Sequence, residues 1–163
     1  MTDIKQKVLR FLEEDCRYTS KNIADALNVS EDEVAKIIAS CIDDGTILAY
    51  KALVNWDKTD REYVSAIIEI KVQPEKGEGF DSVARQICAF EEVSSVYLMS
   101  GGFDLAAVIE GSSMREVALF VVEKLAVIDG VTGTATHFVL NRYKDKGVIF
   151  AGGEADDRQM TEI

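Results

Sequence analysis

Gly101-Gly102, followed by Phe103 and Asp104, is where this chain offers chemistry to a small molecule. A turn built on two glycines exposes backbone N–H groups, and such groups can hold a carboxylate. Asp104 can hold an ammonium group, and Thr134 and Thr136 add hydroxyls from a later strand. With Ser100 ahead of the glycines, the candidate ligand residues are Ser100, Gly101, Gly102, Asp104, Thr134 and Thr136. An amino acid, carrying both charges, is the ligand type that suits them. Two plainer readings stay open. Hairpin geometry alone selects glycines, and an aspartate in a turn bonds neighbouring backbone.

A second set suits nucleic acid. Thr19, Lys21, Ser30, Lys36, Ser40 and Lys51 lie on or beside two short helical segments and supply the donors that meet phosphates and base edges. Charge works against them. The stretch Glu31–Asp44 holds one base and five acids, and the whole chain carries a net charge of −11. Phosphate neutralisation supplies most non-specific DNA affinity. DNA binding therefore requires Arg17, Lys21, Lys36, Lys51, Lys58 and Arg61 to gather on one face. Glu31, Asp32 and Glu33 read more simply as acids that favour a helix N-terminus.

Little else in the sequence could do chemistry. Cys16, Cys41 and Cys88 are far apart among apolar neighbours, which suits buried free thiols in a reducing cytosol rather than disulfides or a zinc site. His137 is the sole histidine and reads as structural. There is no nucleophile–base pair, phosphate loop or paired metal-ligand set, and a solvated acidic face accounts for the carboxylates. No enzyme, cofactor or metal is expected. No apolar run approaches the roughly 20 residues of a membrane helix, and the polar start does not read as a signal peptide. A cytoplasmic protein without a membrane partner is expected.

The elements that must position these residues fall into two parts. Ile4, Val8, Phe11 and Leu12 keep helical spacing over 4–14. A second helix is predicted over Ser20–Leu27, capped by Ser20, followed by a turn at Asn28-Val29. Ser30 and Glu33 form a capping box for a third helix that buries Val34, Ile37, Ile38, Cys41 and Ile42 and stops at Gly45. This is a helix-turn-helix. Thr46–Tyr50 and Ala52–Val54 read as a short two-stranded wing, and 55–62 as polar linker.

From Tyr63 to Val72 the pattern alternates, with Val64, Ala66, Ile68, Ile70 and Val72 on one side of a half-buried strand. A turn over Pro74–Gly79, a helix over Phe80–Phe90 and strands over Val93–Ser100 and Asp104–Glu110 follow. A helix from Ser112 or Ser113 through Ile128 and a last strand over Val131–Leu140 complete a strand-helix-strand-strand-helix-strand order, the ferredoxin-like arrangement. Ile67, Tyr97, Met99, Val108 and Val139 would share the uncovered face, which calls for a partner subunit. The predicted fold class is α+β: a winged helix-turn-helix over 1–50, a strand linker over 51–62, a ferredoxin-like βαββαβ domain for ligand binding and oligomerisation over 63–150, and an acidic tail over 151–163.

Four runs in this order carry a family resemblance. They are Ile23-Ala24-Asp25-Ala26-Leu27-Asn28-Val29-Ser30, then Asp44-Gly45-Thr46-Ile47-Leu48-Ala49-Tyr50, then Gly101-Gly102-Phe103-Asp104-Leu105 with Gly130-Val131-Thr132-Gly133-Thr134-Ala135-Thr136. Over about residues 1–150 the chain resembles the Lrp/AsnC, or feast/famine, regulators. The resemblance implies a sequence-specific transcription regulator bound to double-stranded DNA. It also implies a homo-oligomer, dimers assembling to an octamer, with an amino acid or related metabolite held between dimers beside the glycine–aspartate turn and the last strand. Family members carry arginines around the positions of Ala35, Lys36, Ile37 and Ser40, of which only Lys36 is basic here. The alternative is an oligomeric metabolite-binding protein whose acidic helix-turn-helix has lost DNA binding and contacts protein.

Overall fold

The computed structural model describes residues 3–73 and 79–150. Most of the turn expected over Pro74–Gly79 and the acidic tail over 151–163 lie outside the described residues. The chain divides into two compact units, 1–54 and 55–163.

The first unit holds α1 (Asp3–Glu14), α2 (Ser20–Leu27) and α3 (Glu31–Asp43). Their apolar stripes meet in a small core where Val8, Ile23 and Val34 are fully buried beside Ala24. Thr19, not Ser20, caps α2: its hydroxyl accepts from the Asn22 N–H, and Asn22 reaches back to the Thr19 N–H. Asn28 is left-handed (φ 54°), which the short Asn side chain tolerates, and it reverses the chain between α2 and α3. Ser30 caps α3 as expected, accepting from the Glu33 N–H at 3.1 Å; the return bond of a full capping box is not made among the described residues.

Ile42, expected inside, is 49% exposed. At 100° per residue it stands well round the helix from Val34 and Cys41, past the edge of the buried stripe. Gly45 (φ 73°) ends α3, donating to the Ile42 carbonyl. Beyond it the expected two-stranded wing is not formed: residues 48–55 carry no strand pairing, and Leu48 is 91% exposed. Tyr50-Lys51-Ala52 has no glycine, asparagine or aspartate to make the tight reversal a hairpin needs. The expected strand linker over 51–62 likewise holds no strand. It contains a single 3-10 turn, Trp56–Lys58, capped by Asn55.

The second unit is built on β1 (Val64–Val72), which pairs antiparallel with β3 (Leu105–Gly111) on one side and β4 (Val131–Phe138) on the other. β2 (Val93–Leu98) pairs with β3, so the sheet order is β2-β3-β1-β4. This is the ferredoxin-like topology. Two helices, α4 (Asp81–Cys88) and α5 (Met114–Phe120), cover one face. Ala66, Ile68, Ile70, Leu105, Ala107 and Ile109 meet Ile87, Val117 and Leu125 there, and Phe90 packs edge-on against Phe120 at 5.3 Å.

The helix expected to run regularly through Ile128 is α-helical only to Phe120 and then widens into a π turn over Val121–Leu125, marked by the Ala126 N–H bonding to the Val121 carbonyl. The extra residue turns Leu125 fully into the core. Gly130 (φ 90°) is required where it stands, because a Cβ there would lie 3.3 Å from the Gln73 carbonyl oxygen.

The other face of the sheet is open. Ile67, Tyr97 and Met99 are 42–54% exposed on it, Val108 and Val139 are half-buried, and His137 Nε2 sits 3.3 Å from Glu69 Oε1. A further hairpin, β5 (Lys144–Asp145) and β6 (Val148–Ile149), was not anticipated; Lys146 and Gly147 turn it, both with positive φ.

One ion pair ties α1 to the end of α3. Lys5 Nζ lies 2.9 Å from Asp44 Oδ2. Hydrogen bonding from Thr46 and Lys5 holds the Asp44 carboxyl down at about 2. A carboxyl depressed on folding contributes stability above its unfolded value, and that contribution is lost as pH falls through the folded value. Thermal melts of Asp44→Asn should therefore show a lower Tm than the parent at about pH 7, with the gap closing between about pH 4 and pH 2. A gap independent of pH would contradict this role.

Candidate DNA-contact helix and effector turn

The exposed side of α3 presents Glu31, Asp32, Ala35, Lys36, Ala39 and Ser40, the set expected from the sequence. Its cation is not free. Lys36 Nζ lies 2.5 Å from Asp32 Oδ2, one helical turn back, with both side chains about three-quarters exposed. An exposed pair of this kind contributes roughly 0–1 kcal/mol, so a phosphate can take Lys36 from it at little cost. The Asp32 carboxylate stays beside the site and opposes that phosphate.

The other expected contacts divide by how far they are already engaged. The Thr19 hydroxyl is spent, accepting from the Asn22 N–H and donating to Asn22 Oδ1 at 2.6 Å. Ser30 accepts the cap bond, which leaves its hydroxyl proton available. Ser40, Lys21 and Lys51 are exposed, and the two lysines make no ion pair among the described residues. Arg17 forks onto Asp15, with Nη2 at 2.7 Å, and Arg61 lies over the Trp56 ring at 4.4 Å. Half of the six cations expected to gather for DNA thus already have partners.

In the second unit the glycine turn sits at the C-terminal end of β1. Asp104 organises it. Its N–H donates to the Ile70 carbonyl, its carbonyl accepts from the Met99 N–H, and its Oδ2 accepts from the Val72 N–H at 2.8 Å. This last bond extends the β3 edge of β1 past its final strand pair, Ile70 and Leu105. The plainer reading of Asp104 therefore describes one of its carboxylate oxygens. Oδ1 has no partner among the described residues.

Across β1, Thr134 pairs with Ile70 and Thr136 with Ile68. Asp104 and Thr134 thus flank the same end of β1, about 10 Å apart across two strand spacings. Thr136 lies one pair further in. Both threonines are half-buried, while Ser100, Gly101 and Gly102 are exposed.

The glycines differ. Gly101 has φ 149°, a conformation that favours glycine. Gly102 does not: its φ is not positive, and a Cβ would meet nothing within 4 Å. Gly133, next to Thr134, is the same. Among the described residues nothing asks for glycine at either position. Sequence reasoning had not placed Gly133 with the site; only its adjacency to Thr134 pointed to it.

Residues 65–149 match the family model described as the Lrp/AsnC ligand binding domain, and residues 1–47 match one described as winged helix-turn-helix DNA-binding. The chain belongs to the Lrp/AsnC family. The HTH-type transcriptional regulator YugG of Bacillus subtilis (strain 168) is 43% identical over 159 residues, covering 97% of this chain and 96% of its own length. The HTH-type transcriptional regulator LrpA of Pyrococcus abyssi is 32% identical over 145 residues, 88% of this chain and all of its own. Among solved structures, a transcriptional regulator of Neisseria meningitidis in complex with L-Met is similar in fold, with a TM-score of 0.72 at 21% identity, covering 89% of this chain and 93% of that one. This Lrp/AsnC protein is a DNA-binding transcriptional regulator, not an enzyme. No helix among the described residues is long and apolar enough to cross a membrane.

The Asp104 bond gives a direct stability test. Asp104→Ala leaves the Val72 N–H without its acceptor, a loss of about 1–3 kcal/mol in urea unfolding. Asp104→Asn keeps an acceptor oxygen and should lose clearly less; equal losses would remove the bond from the account.

Proposed function

We propose that this regulator assembles as a homo-oligomer in the cytoplasm, reads specific DNA sites through α3, and answers to an amino acid or related small metabolite held between dimers. The effector contacts are Ser100, Gly101, Gly102, Asp104, Thr134 and Thr136; the DNA contacts are Lys21, Ser30, Lys36, Ser40 and Lys51, with Thr19, also expected among them, in a supporting place.

The observation that carries the effector reading is the pair of glycines, Gly102 and Gly133, with no demand on them from their own chain. Glycine leaves backbone bare for close approach by another molecule. Bare N–H groups and the Asp104 Oδ1, without a partner among the described residues, suit the two charged ends of an amino acid, with Thr134 and Thr136 across β1. The L-Met complex of the Neisseria meningitidis regulator supports the same ligand class. The open face carrying Ile67, Tyr97 and Met99 supports a dimer formed by sheet packing. Thr19 acts through its cap of α2, holding the reading helices in place, since its hydroxyl is already bonded. Effector binding between dimers then favours one assembly and so one spacing of the reading heads against DNA half-sites.

A second reading has its own observation. The Lys36–Asp32 pair and the acids of the first turn of α3 favour a helix-turn-helix that contacts protein instead.

Gel shifts with the promoter of its own or a neighbouring gene, at low salt and with a panel of amino acids, separate the two. The DNA-reading proposal expects retardation that weakens about tenfold in Lys36→Glu and strengthens in Asp32→Asn, with steep salt dependence. Unchanged affinity in Lys36→Glu and a flat salt dependence would favour the protein-contact reading. For the effector, Gly102→Leu should fold normally and lose the amino-acid response. A full response in that variant would remove the turn from the site.

A further inference from the structure

A polar cavity lies at the end of β1 opposite the glycine turn. It measures about 110 Å³, between the Trp56 turn, the start of β1, residues 139–142 and Phe150. This cover explains why Ser65, which alternation places on the open face, is only 4% exposed. From Ser65 to Val72 is seven residues of strand, roughly 23 Å. The cavity is therefore separate from the Gly101-Gly102 turn, and the inference stands apart from the effector reading above.

Arg142 is the cation of this cavity. Its guanidinium lies between the rings of Tyr63 and Phe150, at 5.7 and 5.5 Å from their centroids. Nη2 donates to the Tyr63 hydroxyl at 3.1 Å. Asp145 Oδ2 stands 3.6 Å from Nη1, too far for a hydrogen bond. Asp145 therefore offsets the charge without occupying the donors. The side chain is 24% exposed.

The Tyr63 hydroxyl takes one Nη2 proton, which leaves the other N–H groups, all in the guanidinium plane, for a further partner. Edge-on donation from a planar fork suits a planar carboxylate, which takes two parallel N–H bonds. Asn55 and Asn141 line the same space and can serve its remaining lone pairs, while the Asp57 carboxylate on the same lining opposes an anion. The space is small, about 110 Å³, and suits an anion of a few heavy atoms.

We propose that this cavity is a second binding site, for a small carboxylate anion held edge-on by Arg142. Trp56, the only tryptophan in the chain, lines the cavity and reports on it. The full-length protein is titrated with potassium acetate against potassium chloride at constant ionic strength, reading Trp56 emission. A saturable change is expected, weakened at least tenfold in Arg142→Lys, which keeps the charge and loses the fork. Asp145→Asn removes the competing carboxylate and should tighten binding several-fold, a gain that a misfolded variant could not produce. Potassium phosphate, tetrahedral and bulkier, should give no saturable change. The proposal is overturned by a flat acetate titration of the parent, by phosphate matching acetate, or by acetate affinities unmoved in both variants.

Discussion

Hydrogen bonding of β1 on both edges is the constraint from which the second unit follows. Once β3 and β4 both pair with it, every side chain of β1 has a set side and a set neighbour. Ala66, Ile68 and Ile70 fall under the helices and become fully buried. Ile67, Glu69 and Lys71 fall on the other face. A slip of one residue would exchange the two sets. It would expose the isoleucines of the core and bury a glutamate and a lysine, whose desolvation is costly without partners.

The ends of β1 are where this order gives way. Past the last β1–β3 pair, Ile70 and Leu105, the Val72 N–H is met by the Asp104 carboxylate instead of a strand carbonyl. The side chain that closes the fold at that point follows the Gly101-Gly102 turn directly, and Thr134 stands on the other side of β1. At the other end, the chain folds back over Ser65 and brings Tyr63, Arg142 and Phe150 into one stack. The first unit is organised more simply, by three helices around Val8, Ile23 and Val34. Its third helix, α3, holds its single lysine in an ion pair at the surface, of a kind that gives way at little cost.

Features with a local period were legible in the sequence. The stripe of α1, the alternation of β1 and the stop at Gly45 all appear where their patterns place them. Features set by backbone angle or by distant residues were not. Thr19 and Ser20 are adjacent hydroxyls, and the extended dihedrals of Thr19 decide that it is the cap. The β5–β6 hairpin turns on Lys146 in a left-handed conformation, a residue type that gives no turn signal. The wing had strand-like composition and lacked a reversal. Of the site, the glycine–aspartate turn was visible as a motif, whereas its bond to Val72 joins positions 32 apart. The Arg142 cavity draws on positions 55–65 and 139–150, which no local spacing connects.

An apolar set on both faces of one sheet is the common thread, and among the described residues the helices of the second unit cover one of those faces. On the other, Ile67, Tyr97 and Met99 are the surface that the proposed second copy would cover. Sedimentation equilibrium of the parent and of Ile67→Arg tests this most directly. The account expects the parent as a dimer or larger assembly at micromolar concentration, and the variant shifted to single chains with its circular dichroism unchanged. A parent that sediments as a single chain throughout, or a variant that assembles as the parent does, would contradict it.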